Sequence, residues 1–582
     1  ALSFRLLGDN LLAARLPSIA FSTLGIAISF SLGRRLLGRG AGLVAAAGFA
    51  SSFWALMFAR LAVRTGSMPV MAMISAYLLL RLAQRKDLEW PLTIGAGLAL
   101  GLTLYTYPSA LVFPALMLAW LGFMHLIREM PTTSWRSLGL AYALMLIMAI
   151  PLLLAWLNPE ATARADAVNA PLESLLDGDP SLVIANVVPV LGVFSVAGDS
   201  GLEFNIQNQP IFPTIPLAIL FYLGLIWSMF GVFDRREATR VGYAFILLML
   251  FGMLVPTLVT ERPVNPSRTI GLLAVVYLLP AVATMKALNL AHGADRPDVR
   301  LAVFGVVAAA LIVQMDHSIR HYFEVWPSNP VVAFLYQEAY QAIAQDELHW
   351  ADEHDLFAIG GLTPYEMDPA SMRLLAEPDP HPAQVVYFDA QTSLLIPGAR
   401  KADATRILAV PSSISLHPAL GGLLEPLGLQ SIGSNRHYRL YEAAQPAIPT
   451  ISANTDFGRT GAEEPLIRLL RAEPIIPAVP GQALMIVTAW EVLGETQGAL
   501  RIFVHVVDQN DSILAQSDIL GVPPDQWREG QVFLQAHDFL LPIDAPPGPY
   551  GLRVGLYDPN TTNRLAVLSP PGGNSVHIEL EE

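Results

Sequence analysis

The residues best able to do chemistry in this chain are charged side chains at the ends of long apolar runs. The connector FARLAVRTGS places Arg60 and Arg64 four residues apart, on one face of a helical turn. Two guanidiniums so placed suit the bidentate grip of a phosphate; the alternative is interfacial snorkelling. The run VFSVAGDSGLEFNIQNQP offers Asp199, Glu203, Asn205 and Asn208 just before an apolar stretch. A Gly-Asp turn followed by an acid and amides suits sugar hydroxyls or a divalent cation, and equally suits Asx turns and caps. TERPVNPSR adds Glu261, Arg262 and Arg268, the last at the mouth of another apolar run. Asp9 stands at the start of the first long run and reads as a helix-start residue. A charge at mid-bilayer costs about 2.5–3.5 kcal/mol on insertion scales, so charges kept so near the apolar runs need a reason.

The elements that must position these residues are membrane helices. The chain is 53% hydrophobic and 14% charged, with mean hydropathy +0.46, too apolar for a soluble protein of this length. Through Asp316 there are 21 Lys+Arg against 17 Asp+Glu, a balance of +4; the rest has 14 against 32, or −18. The acidity belongs to the C-terminal part and argues against a nucleic-acid surface. Candidate spans are 14–33, 41–59, 67–83, 91–106, 108–126, 137–157, 213–233, 241–259, 269–289 and 301–317. The pair meeting at Tyr107-Pro108 also fits a re-entrant hairpin.

Alternate connectors carry the basic residues: Arg34, Arg35 and Arg39; Arg81, Arg85 and Lys86; Arg128 and Arg136; Arg235, Arg236 and Arg240; Lys286, Arg296 and Arg300. The others hold fewer: Arg5, Arg15, Arg60, Arg64, Arg164, Arg262 and Arg268. The positive-inside tendency makes the first set cytoplasmic. Residues 1–13, 59–66, the long 158–212 loop, 260–268 and everything after about 318 are then outside. The fold expected is a polytopic α-helical membrane domain of about ten spans (1–317), a small extracytoplasmic α/β domain (318–443), a linker (444–461) and a β-sandwich (462–582).

In the α/β part, 330–344 reads as helix, and 354–360, 383–390, 405–411 and 436–443 read as strands. In the sandwich, 483–490, 499–508, 512–518, 531–542 and 550–558 alternate with Pro-Gly and Asp-Pro-Asn turns. Trp490, Trp527 and Tyr557 fit core packing better than sugar stacking. There is no cysteine, hence no thiol catalysis or disulfide. No Gly-Lys-Ser/Thr phosphate loop and no HExxH pattern occur, so neither ATP-driven transport nor a zinc hydrolase has support.

The run LLAARLPSIAFSTLGIAISFSLGRRLLGRGAGLVAAAGFASSFWALMFARLAVR, then GAGLALGLTLYTYPSALVFPALML, resembles the membrane glycosyltransferases of the GT-C type. The nearest group is that of protein O-mannosyltransferases and aminoarabinose transferases. The resemblance lies in the Arg-Leu-Pro-Ser start of a span, the Gly-Arg-Arg-Leu-x-Gly turn, a small-residue span, an outer Arg and the Gly-Leu-x-Leu-Tyr-Thr-Tyr turn. The later GD…N…P loop and Pro-Ser-Arg at 266–268 resemble bacterial members with a C-terminal sandwich. The likeness covers most of residues 1–317.

It implies inverting transfer of a sugar from a polyprenyl-phosphate carrier to a protein, lipid or glycan hydroxyl, at the outer face of the plasma membrane. Arg60 matches the family's outer Arg after the third span; Arg268 and the Asp199 loop match more loosely. The family's catalytic base is a carboxylate in the first outer loop. The sequence starts at Ala1, late in that loop, so the expected first span and base lie upstream. Asp9 and Asp199 are the weaker candidates within the chain. Substrate-binding candidates are Arg60, Arg64, Arg268, Asp199, Glu203 and Glu261. No metal ligand set is marked, no cofactor is certain, and assistance by a divalent cation stays open. The alternative reading is a flippase or other transporter, or a non-catalytic glycan-binding relative. Transporters tend to show internal repeats and mid-membrane charges, and neither is clear in this chain.

Overall fold

The computed structural model describes residues 2–157, 168–348, 356–361, 384–396, 406–443, 447, 449–461, 464–496 and 498–580. The chain divides into two compact units, residues 1–7 with 12–335 and residues 8–11 with 336–582.

The first unit is helical. Among the described residues seven segments are long and apolar enough to cross a membrane: Leu11–Leu37, Arg64–Ala83, Pro108–Leu126, Ser134–Ala155, Arg240–Leu258, Ile270–Gly293 and Pro297–Val325. Helices Arg39–Ala50 and Phe53–Arg60 meet at a 57° bend and make an eighth if counted as one span. Length and apolarity thus support seven or eight candidate spans among the described residues, fewer than the ten expected. Helices form at all ten places, but Trp90–Leu104 has 15 residues and Ile215–Gly231 has 17. At 1.5 Å per residue they rise about 23 and 26 Å, short of a hydrocarbon core of roughly 30 Å.

Proline sets several of these limits. Pro108 holds Tyr107 extended (φ −160°, ψ 151°) and separates Trp90–Leu104 from the next helix. A further apolar helix, Ser181–Gly192, lies in the stretch read as an outer loop. Its Asn186 Nδ2 donates to the carbonyls of Leu258 (2.8 Å) and Thr260 (3.1 Å). Ile270–Gly293 is the most deeply buried of the seven. Ile215–Gly231 packs on it so closely that a Cβ at Gly224 would stand 1.9 Å from the Leu279 carbonyl oxygen.

Connectors rich in basic residues meet one another. Arg35 donates to Gln84 Oε1 at 2.5 Å, and the Ser134 hydroxyl donates to the carbonyls of Ala83 and Arg85. Lys286 pairs with Glu237, and Gly40 packs against Met285. The sparser connectors gather elsewhere, as described below. Arg164 lies outside the described residues.

The second unit is rich in strands. A five-stranded sheet runs 384–389, 356–361, 406–411, 438–443, 429–434, with the first three strands parallel. Four of these fall where the sequence predicts strands; Leu429–Ser434 is an addition. The predicted 330–344 helix is two pieces, Pro330–Leu335 and Glu338–Asp346, broken at Gln337 in the left-handed region (φ 54°). A four-stranded and a six-stranded antiparallel sheet follow. Thr455–Gly458, within the stretch read as a linker, is a strand of the six-stranded sheet.

Strand Ser393–Ile396 leaves the α/β segment and pairs antiparallel with Val532–Leu540 at the edge of the six-stranded sheet. One apolar core consequently includes Val386, Leu408, Phe457, Trp490, Val504 and Leu552, residues of all three sheets. Trp490 and Trp527 are fully buried in the second unit.

Candidate functional site

The site is assembled from four pieces of the helical unit that the sequence scatters over some 270 positions. Ser52 caps helix Phe53–Arg60, its hydroxyl accepting from Ala55 N–H at 3.3 Å. Phe53 and Trp54 at the start of that helix line a half-open cleft with Asp199, Asn205 and Gln209, and with Val264, Pro266 and Thr269. Including open solvent, the cleft encloses about 400 Å³.

The loop after helix Ser181–Gly192 is closed on itself. Gly198 N–H donates to the Asn208 carbonyl (2.9 Å), Asn208 N–H returns to that of Asp199 (2.7 Å), and Asn205 Nδ2 donates to that of Gln209 (2.9 Å). Asn208 takes the left-handed conformation (φ 60°) that this reversal needs. Only glycine fits at 198, because a Cβ would lie 1.9 Å from the Gln209 carbonyl oxygen.

The end of the last long helix holds this loop in place. Gln209 Oε1 accepts from His321 Nδ1 (2.6 Å) and lies 3.3 Å from His317 Nε2, the two imidazoles meeting at a 35° tilt with centroids 3.6 Å apart. Trp326 Nε1 donates to the Leu202 carbonyl, Phe204 stacks on Phe58, and the Ser318 hydroxyl donates to the Ser51 carbonyl. The 198–209 and 264–268 pieces come from connectors that the charge pattern groups together, whereas Ser52, Phe53 and Trp54 fall inside the stretch read as the 41–59 span.

Arg60 ends helix Phe53–Arg60 with its guanidinium 5.6 Å from the Tyr322 ring centroid and 5.2 Å from that of Phe323. It is exposed and has no acidic partner among the described residues. Aromatic faces hold a guanidinium by cation–π attraction, roughly 0.5–1 kcal/mol when exposed, and leave its N–H edge free for an anion. Arg64 is displaced from Arg60, which corrects the expectation that the two share a helical turn. Leu61 (ψ 137°) and Val63 (ψ 136°) are extended, so the helix stops and Arg64 opens a separate 3₁₀ turn, Arg64–Ser67.

Asp199 is half-buried in the cleft wall. One carboxylate oxygen accepts Gly201 N–H at 3.0 Å. Burial pushes its carboxyl above the usual carboxylate range, and nearby Glu203 adds to this; the Gly201 hydrogen bond and the Arg262 cation pull the other way. Glu203 is exposed between Leu202 and Phe204. Arg268 is half-buried and spends one N–H on the Arg262 carbonyl (3.1 Å), bracing its own loop. Glu261 is exposed, and its backbone N–H donates to the Val168 carbonyl. Asp9, exposed in the break between helices Leu2–Leu7 and Leu11–Leu37, is not among the cleft residues.

Sequence reasoning passed over Trp54, Gln209, His317, His321, Tyr322 and Phe323 and left Arg262 out of the site. The i, i+4 pair of histidines at the end of the last span was the one signal available for the tie to Gln209. No cluster of His, Asp and Glu suited to a metal occurs among the described residues.

Comparison with known proteins bears on the helical unit first. Residues 1–156 match the model of the dolichyl-phosphate-mannose-protein mannosyltransferase family. The GT-C-type resemblance is borne out there. No curated protein sequence matches the chain significantly. Among solved structures, ArnT from Cupriavidus metallidurans is similar at 13% identity, in the apo state (TM-score 0.42) and bound to undecaprenyl phosphate (0.41). The likenesses cover 77% and 76% of this chain and 87% and 86% of ArnT. The arabinofuranosyltransferase AftD from Mycobacteria is similar at 12% identity and TM-score 0.35, over 96% of this chain and 56% of AftD. At such TM-scores neither structure informs the chemistry below.

Proposed function

We propose that the chain is a membrane glycosyltransferase that moves a sugar from a polyprenyl-phosphate carrier to an acceptor hydroxyl at the outer face of the plasma membrane, with inversion. The observation that carries this is Arg60: an acid-free guanidinium cradled on two aromatic rings, at the end of the helix whose start lines the cleft. A phosphate leaving in such a transfer gains negative charge, and a pre-positioned guanidinium stabilises that charge without reorganising. The family match over residues 1–156 supports the same reading.

Asp199 is the acidic residue among those lining the cleft, and it takes the sugar's hydroxyls or the acceptor's proton. Arg262 tempers its carboxyl. Glu203 and Glu261 stand at the exposed rim, Arg268 supports the 260–268 loop, and Arg64 offers a second cation to an anionic lipid surface. The soluble segments, a small α/β domain and a β-sandwich, are extracytoplasmic in this reading and meet acceptor or glycan. The test is transfer of labelled sugar by membranes carrying the protein. Activity lost in Arg60→Ala, with helical content unchanged, supports the assignment, and unchanged turnover removes Arg60 from the site.

A further inference from the structure

Trp54 is 7% exposed, it lines the cleft, and its indole Nε1 has no acceptor among the described residues. The chain treats its other buried indoles differently. Trp120 donates to the Val241 carbonyl, Trp326 to that of Leu202, Trp490 to the Thr488 hydroxyl and Trp527 to the Val522 carbonyl, all at 2.8–3.0 Å. A buried N–H without a partner has lost its water and gained nothing in return. The N–H itself is closed to solvent, so an oxygen entering the cleft that Trp54 lines satisfies it as the indole turns toward the opening.

The rest of the lining indicates what enters. An indole offers a donor and no acceptor, so its complement is an oxygen. Asn205 Nδ2 is engaged by the Gln209 carbonyl, the Thr269 hydroxyl by Asn265, and Gln209 Oε1 by the two imidazoles. Beside the remaining amide groups of Asn205 and Gln209, the lining offers the Trp54 N–H as donor and the Asp199 carboxylate as acceptor, between the apolar walls of Phe53, Phe204 and Val264. A sugar hydroxyl can accept from the first and donate to the second, and a pyranose or furanose ring presents such hydroxyls beside C–H faces. Trp54 and Arg60 lie six residues apart on one helix, about 9 Å of rise. At about 100° per residue Arg60 is turned roughly 120° from Trp54 around the axis, so a sugar whose phosphate meets Arg60 reaches Trp54 by curling around the helix end.

We infer that Trp54 is a specificity-determining residue whose indole N–H donates to one oxygen of the transferred sugar, favouring a neutral hydroxyl over a protonated amine at that position. The inference rests on the proposed donor, a sugar carried on a lipid phosphate. Discrimination here has a sound basis, because a donor lacking that oxygen leaves the N–H unpaired.

The experiment measures kcat/KM of the full protein in membranes with a series of polyprenyl-phosphate sugars: the best donor, its single-deoxy analogues and an aminodeoxy analogue. Binding of undecaprenyl phosphate alone is measured in parallel. Trp54→Phe keeps the ring and removes the N–H. The expected result is a loss of about tenfold with the best donor, little further loss with the one deoxy analogue that lacks the read oxygen, and unchanged undecaprenyl phosphate binding. Unaltered discrimination in Trp54→Phe overturns the inference, and a lowered melting temperature alone would assign the N–H to a structural water. Should the variant not fold, the unaltered protein still decides: no single hydroxyl whose removal costs about tenfold means no such contact. Failure of the unaltered protein to bind undecaprenyl phosphate or to transfer any sugar overturns the donor reading itself, whereas binding and transfer without hydroxyl discrimination overturn only the role of Trp54.

Discussion

At the residue scale, the decisive feature is how two ionisable side chains are held. Tyr322 and Phe323 fix the Arg60 guanidinium without neutralising it, so its charge is available to a phosphate. Arg60→Ala is expected to lower kcat by about 10²–10³, the usual effect of removing one electrostatic stabiliser of a transition state. Arg60→Lys should recover only part, since an ammonium lacks the planar fork. Asp199 predicts a pH effect. Its carboxyl sits above the ordinary range through burial, and it must be ionised to accept a proton, so transfer should fall as pH drops through that raised value. The pH–rate profile of Asp199→Asn should lack that limb, with kcat down about 10²–10⁴; an unchanged limb would show that another group sets it. Arg60 was legible from its type and its place after an apolar run. Trp54 was not, because an aromatic residue within a span looks like packing until its N–H is seen to lack a partner.

At the element scale, short connections do the positioning. The four-residue spacing of Arg60 and Arg64 misled because helical spacing holds only where the helix continues, and Leu61 and Val63 end it. The loop carrying Asp199 is an antiparallel reversal whose closure depends on Gly198. Gly198→Ala should force Asp199 out of the cleft wall and abolish transfer, with helix content by circular dichroism unaltered; normal activity would mean that the loop can shift without consequence. Ten helical places were readable from hydropathy, yet two fall short of a span's usual length, and an apolar helix in the stretch read as an outer loop went unseen. Span length is set by prolines and turns, which a hydropathy window averages away.

At the scale of the whole molecule, most strands of the second unit could be read from alternation and turns, but their assembly could not. Ser393–Ile396 is four residues long and finds its partner strand some 140 positions later. Gln535 secures that pairing, accepting from the Ser393 hydroxyl and Gly521 N–H and donating to the Thr392 carbonyl, each at 2.8 Å. Its neighbour His537 is fully buried, and burial, with some help from His417, depresses its imidazole to about 3. The unfolded chain binds that proton near pH 6.5 and the folded one only near 3, so stability falls as pH drops across this window, by on the order of 1 kcal/mol per pH unit. Thermal unfolding of the β-rich unit between pH 7 and 4 checks this; a flat melting temperature would contradict it.

The most direct test of the central claim is transfer from a radiolabelled polyprenyl-phosphate sugar by membranes carrying the protein expressed from its whole coding sequence, with Arg60→Ala alongside. Transfer by the unaltered protein that disappears in the variant, both being equally folded, is the expected result. Equal transfer by the two, or none by the unaltered protein across a panel of donor sugars, would contradict it.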